Sequence, residues 1–189
     1  CFFVFRQPDL GTALIIACSG LFVLFLSGLS WTFIGGSFVL LIISSPFIWN
    51  ILLQPFQRQR IATFFNPDSD PFGASWNIIQ SKVAIGSGGL LGKGYGEGSQ
   101  TQLNFLPETE TDFIFSVIGE EFGFLGVLLL ISIYLLILLR CFYLALSARD
   151  RFCRLVIGGL SLTFAANLII NLCMVVGLLP VVGMPLPFI

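Results

Sequence analysis

Residues 10–57 read LGTALIIACSGLFVLFLSGLSWTFIGGSFVLLIISSPFIWNILLQPFQ, 48 positions without a charge. A helix needs roughly 20 apolar residues to cross the hydrocarbon of a bilayer, so this run holds two crossings. The break falls at Ser27-Gly28-Leu29-Ser30, a small-residue stretch of the kind that forms turns. The spans are then Leu10–Ser27 and Trp31–Leu53, an antiparallel pair filling 10–53. The whole chain agrees: of its 189 residues, 56% are hydrophobic and only 10% charged, against about 25% charged in soluble domains. The mean hydropathy is +0.97. The fold class is therefore an all-α polytopic membrane protein, because in lipid every backbone polar group must be satisfied internally.

Composition also removes whole classes of chemistry. The chain has no histidine, which excludes Ser-His-Asp and Cys-His catalysis and every histidine-based metal site. A net charge of −1 without a basic block argues against nucleic acid as a partner. The five cysteines (Cys1, Cys18, Cys141, Cys153, Cys173) have no CxxC spacing, so neither a zinc site nor a disulfide framework is expected. The start at Cys1 and the stop at Ile189 after a Pro-rich turn read as the ends of an internal fragment of a longer membrane protein.

Beyond residue 53 the character changes. Residues 54–111 hold four of the nine basic residues, five of the ten acids and the turn signals Asn66-Pro67 and Asp70-Pro71. They form a large loop, within which Trp76–Ile85 suits a short helix on the membrane surface. Loops of this length without structure of their own are uncommon and tend to be functional. A further span covers 112–139 and another 155–179. Between them, 140–154 carries Arg140, Arg149, Arg151 and Arg154 against the single acid Asp150. That bias marks the cytoplasmic side and places 54–111 on the extracytoplasmic face. Residues 1–9 then end a preceding span and make a short extracytoplasmic turn. Residues 180–189, with Pro180, Pro185 and Pro187, start the last span as a broken or re-entrant segment.

Several residues in this plan can carry chemistry. Asp112 lies where the long loop meets a membrane helix. A carboxylate there is partly desolvated yet reaches polar substrates, which raises its basicity and suits a general base. From the pattern alone, an N-terminal helix cap is the favoured reading. Glu120 and Glu121 follow at membrane depth, where ionisable side chains usually face a cavity or a partner. A shallow pair stabilised by the helix N-terminus is the plainer reading. Arg58, Arg60, Lys82 and Lys93 share the long loop and suit anionic headgroups or a pyrophosphate, or else simply pair with the loop's own acids. Asn167 and Asn171, four apart on the last span, look more like interhelical glue than a substrate site. The stretch Gly86–Gly94 imitates a phosphate loop and fails: Ser87 stands where a glycine is required and Gly94 where Ser or Thr is required.

Longer motifs resemble one family. They are Arg6-Gln7-Pro8-Asp9-Leu10-Gly11-Thr12, the run from Asn77 through Gln80-Ser81-Lys82 to Gly89, and Asn104-Phe105-Leu106-Pro107-Glu108. They continue with Thr111-Asp112-Phe113-Ile114-Phe115, Gly119-Glu120-Glu121 and the tail Leu179–Phe188. In this order, over the whole chain, they resemble the SEDS proteins (shape, elongation, division and sporulation). Gly98-Ser99-Gln100-Thr101-Gln102-Leu103-Asn104 is more similar to the rod-shape elongation member than to the division member. Glu110 departs from the histidine that many relatives carry, and sets another carboxylate two residues from Asp112.

The resemblance implies a bundle of roughly ten spans, four of them complete here. It also implies a peptidoglycan glycosyltransferase that polymerises lipid II into β-1,4 glycan strands in the bacterial inner (plasma) membrane during elongation. Asp112 aligns with the family's general base, and Arg58, Arg60, Lys82, Lys93 and Glu120 are the candidates for substrate contact. The implied partners are lipid II, the nascent glycan, membrane lipids and a class B penicillin-binding protein. No cofactor is implied; a divalent cation could share the pyrophosphate charge, although no metal-ligand spacing supports one. The competing readings are a lipid II transporter, which the polar residues inside the spans would suit, and a non-catalytic scaffold of the elongation machinery.

Overall fold

The computed structural model describes residues 10–47, 54–65, 74–98 and 112–188. The motif at 104–108, Glu110 and the turn signals at 66–71 lie outside these. Six helices occur among the described residues: α1 (Leu10–Leu26), α2 (Trp31–Phe47), α3 (Pro55–Phe65), α4 (Ala74–Ser87), α5 (Ile114–Ser147) and α6 (Arg151–Val176). The first pair parts at the expected place: α1 stops at Leu26 and Gly28 takes φ 94°, a left-handed conformation that glycine adopts without steric cost.

Helices α5 and α6, of 34 and 26 residues, are long and apolar enough to cross a bilayer. Their outward side chains are large and hydrophobic; Leu129 and Leu136 on α5 are 61% and 66% exposed. Such surface is ruinous in water and ordinary in lipid. Helix α5 continues to Ser147, eight residues past the expected end at 139. Residues 140–147 contain no helix breaker, Phe142 and Leu146 point outward, and the Arg140 guanidinium lies 5.7 Å from the Tyr143 ring centre, one turn on. The basic loop expected over 140–154 therefore shrinks to 148–150, which keeps Arg149, while Arg140, Arg151 and Arg154 lie on the flanking helices.

Helix α5 is broken inside. Gly123 has φ 65° and ψ −161°, so 114–122 forms a separate short piece. The piece from 124 to 147 rises about 36 Å at about 1.5 Å per residue, enough to cover a hydrocarbon core of about 30 Å. Glu120 and Glu121, expected at membrane depth within a single span, belong instead to the piece before the break.

Helix α6 is the hub of the packing. On one side Gly158 and Gly159 let Leu26 and Val23 of α1 approach its backbone closely, the small-residue contact that membrane helices use. On another it meets α5 and α4, around Phe113, Phe115, Met174 and Val175. It ends at Gly177, φ 76°, whose N–H returns to the Met174 carbonyl. The segment after it does not start a helix. Residues 180–186 are irregular, neither helix nor strand, as expected where Pro180, Pro185 and Pro187 remove donors and bar the helical conformation of their neighbours. This tail packs back onto the bundle. Leu186 is buried with Tyr134 of α5 and Leu168 of α6, and Tyr134 donates to the Pro187 carbonyl.

Candidate functional site at the start of α5

Four elements meet at Asp112. Helix α3 begins with Pro55 at its first position, where the missing N–H costs nothing. Gln57 folds back to accept from the Gln54 N–H at 3.0 Å, half of a capping box. Two turns of this helix present Arg60, whose Nη1 donates to the Val181 carbonyl of the tail at 3.2 Å. Helix α4 is fixed on the end of α6 by Ser81, fully buried, donating to the Val175 carbonyl at 2.9 Å.

Asn171 ties the remaining pieces together. It is fully buried on α6, and its Nδ2 donates to the Asp112 carbonyl at 3.1 Å and to the Met184 carbonyl at 2.6 Å. One amide thus holds the start of α5 and the tail in register. The expected interhelical role of this asparagine becomes a helix-to-loop clamp. The helix cap position is taken by Phe113, without a side-chain cap bond, one residue beyond Asp112.

Asp112 is only 7% exposed, whereas Arg60 is open to the surroundings. Both face Gly183: a Cβ built on that glycine would stand 3.5 Å from Asp112 Oδ2 and 3.9 Å from Arg60 Nη1. A carboxylate and a guanidinium therefore border one small space at the mouth of the bundle. The carboxylate can accept a proton there, and the guanidinium can hold an anion.

The other cations expected at the site do not come within 4 Å of the Gly183 Cβ position. Arg58 is half-buried on α3 and is not among the atoms near that space. Lys82 lies against Gly177, over the carbonyl end of α6, where positive charge is favoured. Lys93 forms an ion pair with Glu120, Nζ to Oε1 at 2.7 Å. Glu120 is completely buried, and its carboxylate is engaged by the loop. Among the described residues no group of three His, Cys, Asp or Glu side chains is placed to hold a metal ion.

That ion pair belongs to a larger joint. The break at Gly123 frees backbone groups that a continuous helix would pair, and the glycine-rich turn 88–96 takes them up. Phe124 and Leu125 donate to the carbonyls of Gly89 and Leu90 at 2.9 and 3.2 Å, while Lys93 and Gly94 donate to those of Glu120 and Glu121 at 3.0 and 3.1 Å. The Gly96 N–H adds a bond to Glu121 Oε1 at 3.1 Å. A Cβ on Gly88 would run into the Gly119 carbonyl, and one on Gly92 into that of Glu121. The glycines that imitate a phosphate loop serve close backbone contact.

Comparison with known proteins follows the same outline. Residues 1–189 match the model of the family described as cell cycle protein, which groups FtsW, RodA and SpoVE. The peptidoglycan glycosyltransferase MrdB of Escherichia coli K12 is 52% identical over 98% of this chain and 50% of its own length. A probable peptidoglycan glycosyltransferase FtsW of Trichlorobacter lovleyi is 42% identical, over 97% and 48%. Stage V sporulation protein E of Bacillus subtilis is 38% identical, over 97% and 49%. A chain in a solved structure on the coordination of polymerization and crosslinking by a peptidoglycan synthase complex superposes with a TM-score of 0.78. It is 32% identical, over 97% of this chain and 50% of that one. The chain spans about half the length of the curated relatives it matches.

Proposed function

The chain belongs to the FtsW, RodA and SpoVE family of cell cycle proteins, the SEDS family, and from that membership we propose that it forms the catalytic half of a multi-pass plasma-membrane glycosyltransferase. The reaction is polymerisation of lipid II into β-1,4 glycan during cell elongation. The observation that carries this reading is the buried Asp112 carboxylate facing the Arg60 guanidinium across Gly183.

The chemistry follows from that pair. The acceptor sugar's 4-hydroxyl attacks the anomeric carbon of the donor, and the bond from that carbon to the pyrophosphate oxygen breaks. The electron pair leaves with the lipid pyrophosphate, and the α linkage inverts to β. Asp112 takes the hydroxyl proton, a contribution of roughly 10²–10⁴-fold for a well-placed base. Arg60 lies open beside it and offers its fork of donors to the charge that develops on the leaving group. Asn171 keeps the base and the tail in one geometry. The relative in a solved synthase complex supports a class B penicillin-binding protein as the partner.

The test is direct. The protein, expressed over the full length its relatives have and purified with its penicillin-binding partner, is given fluorescent lipid II. Glycan products resolved on a gel are the expected result. Lipid II that crosses proteoliposomes without being polymerised would make the protein a transporter, and neither activity would leave it a scaffold.

A further inference from the structure

The point shared by the carboxylate and the guanidinium is a residue without a side chain. Gly183 has φ 73°, a conformation that L side chains rarely adopt. Space gives a second reason for glycine there. Outside the glycine and its two chain neighbours, Asp112 Oδ2 at 3.5 Å and Arg60 Nη1 at 3.9 Å are the only heavy atoms among the described residues within 4 Å of its absent Cβ. Both are ordinary contact distances, so a methyl group would fit there without a clash. It would simply occupy the space between acid and base. Two bonds hold the walls: Arg60 to the Val181 carbonyl and Asn171 to the Met184 carbonyl, on either side of Gly183. The opening is therefore a feature of a fixed segment.

We propose that Gly183 keeps open a subsite for the sugar pyrophosphate, in which the anionic oxygens of the leaving group meet Arg60 while the attacking hydroxyl meets Asp112. Gly183 is then a specificity-determining residue of the tail. This inference rests on the reading of Asp112 as the base and Arg60 as the cation of the transferase. It adds that the tail gives the ligand its place by having no atoms there. A side chain at 183 screens the guanidinium from the pyrophosphate and separates the two reacting groups.

The experiment uses the full-length protein with its partner, and reads both lipid II polymerisation and inhibition by undecaprenyl pyrophosphate. Gly183→Ala is expected to lower kcat/KM at least tenfold and to weaken inhibition at least tenfold. Gly28→Ala is the control: Gly28 has φ 94° and, among the described residues, nothing within 4 Å of its Cβ position, so it carries the backbone cost without touching the site. It should stay within twofold of wild type in both readouts. A Gly183→Ala protein that behaves like the Gly28→Ala control overturns the subsite. Should Gly183→Ala fail to fold, Gly183→Asn decides, since asparagine tolerates the left-handed conformation: unaltered inhibition by the pyrophosphate overturns the proposal, and a tenfold loss supports it. Asp112→Asn separates the two levels. Polymerisation by that variant refutes the parent reading, whereas wild-type inhibition of Gly183→Ala refutes the subsite alone.

Discussion

At the scale of single residues, Asn171 does more than its neighbours because it serves two backbones at once. Its Nδ2 bonds the carbonyls of Asp112 and Met184 from a fully buried position. Removing it leaves acceptors without their donor, which costs about 1–3 kcal/mol per buried group. Asn171→Ala is therefore expected to lower the thermal unfolding midpoint in detergent and to reduce kcat, because Asp112 loses its tether. Asn167, one turn earlier, has a buried Oδ1 with no partner among the described residues. Asn167→Ala should cost much less on both counts, and equal effects of the two changes would contradict the clamp. From the sequence, the pair could be placed on one helix face but not separated. The partners of Asn171 are backbone atoms 59 and 13 residues away, and no local pattern encodes them. Gly183 was invisible for the same reason, since its meaning depends on Arg60 and Asp112 arriving from two other elements.

At the scale of elements, the joint between the glycine-rich turn and α5 shows how a helix can break at a membrane without orphaned backbone groups. The donors and acceptors released at Gly123 are taken up by residues 89–94, and the approach needs hydrogen in place of Cβ at Gly88 and Gly92. Gly92→Ala is expected to destabilise the protein by about 1–3 kcal/mol through overpacking. Gly86→Ala, with nothing among the described residues within 4 Å of the added methyl, should change stability by no more than about 0.5 kcal/mol. Equal unfolding midpoints for the two variants would show that the turn does not hold α5. Hydropathy was enough to locate α1, α2, α5 and α6, and the short helix expected over 76–85 appears as Ala74–Ser87. It could not reveal the break, because a glycine inside an apolar run is tolerated in many membrane helices. Nor could it pair Lys93 with Glu120 across 27 positions, so both stood as separate substrate contacts. The tail is the mirror case: its prolines foretold irregularity, and the structure adds where that irregular chain packs.

At the scale of the whole molecule, one polar end and one basic end define an orientation. Asp112, Arg60 and Gly183 gather at the start of α5, while Arg149, Arg151 and Arg154 lie at the α5–α6 turn, at the far end of the long helix. In the topology we propose, the excess of arginine there puts that turn on the cytoplasmic side and the site on the outer face. Single-cysteine variants of the full-length protein test this in intact cells. An impermeant maleimide is expected to label Tyr95→Cys, on the exposed glycine-rich turn, and to leave the exposed Cys153 unlabelled until the cells are opened. The reverse pattern would invert the topology and remove the site from an extracytoplasmic substrate. The measurement that bears most directly on the central claim is polymerisation of labelled lipid II by full-length Asp112→Asn, copurified with the penicillin-binding protein we propose as its partner. Asparagine keeps the shape and the backbone bond from Asn171 but cannot take the hydroxyl proton. The account predicts a folded, partner-bound protein whose glycan products fall at least a hundredfold below wild type. Products equal to wild type would mean that Asp112 is not the base.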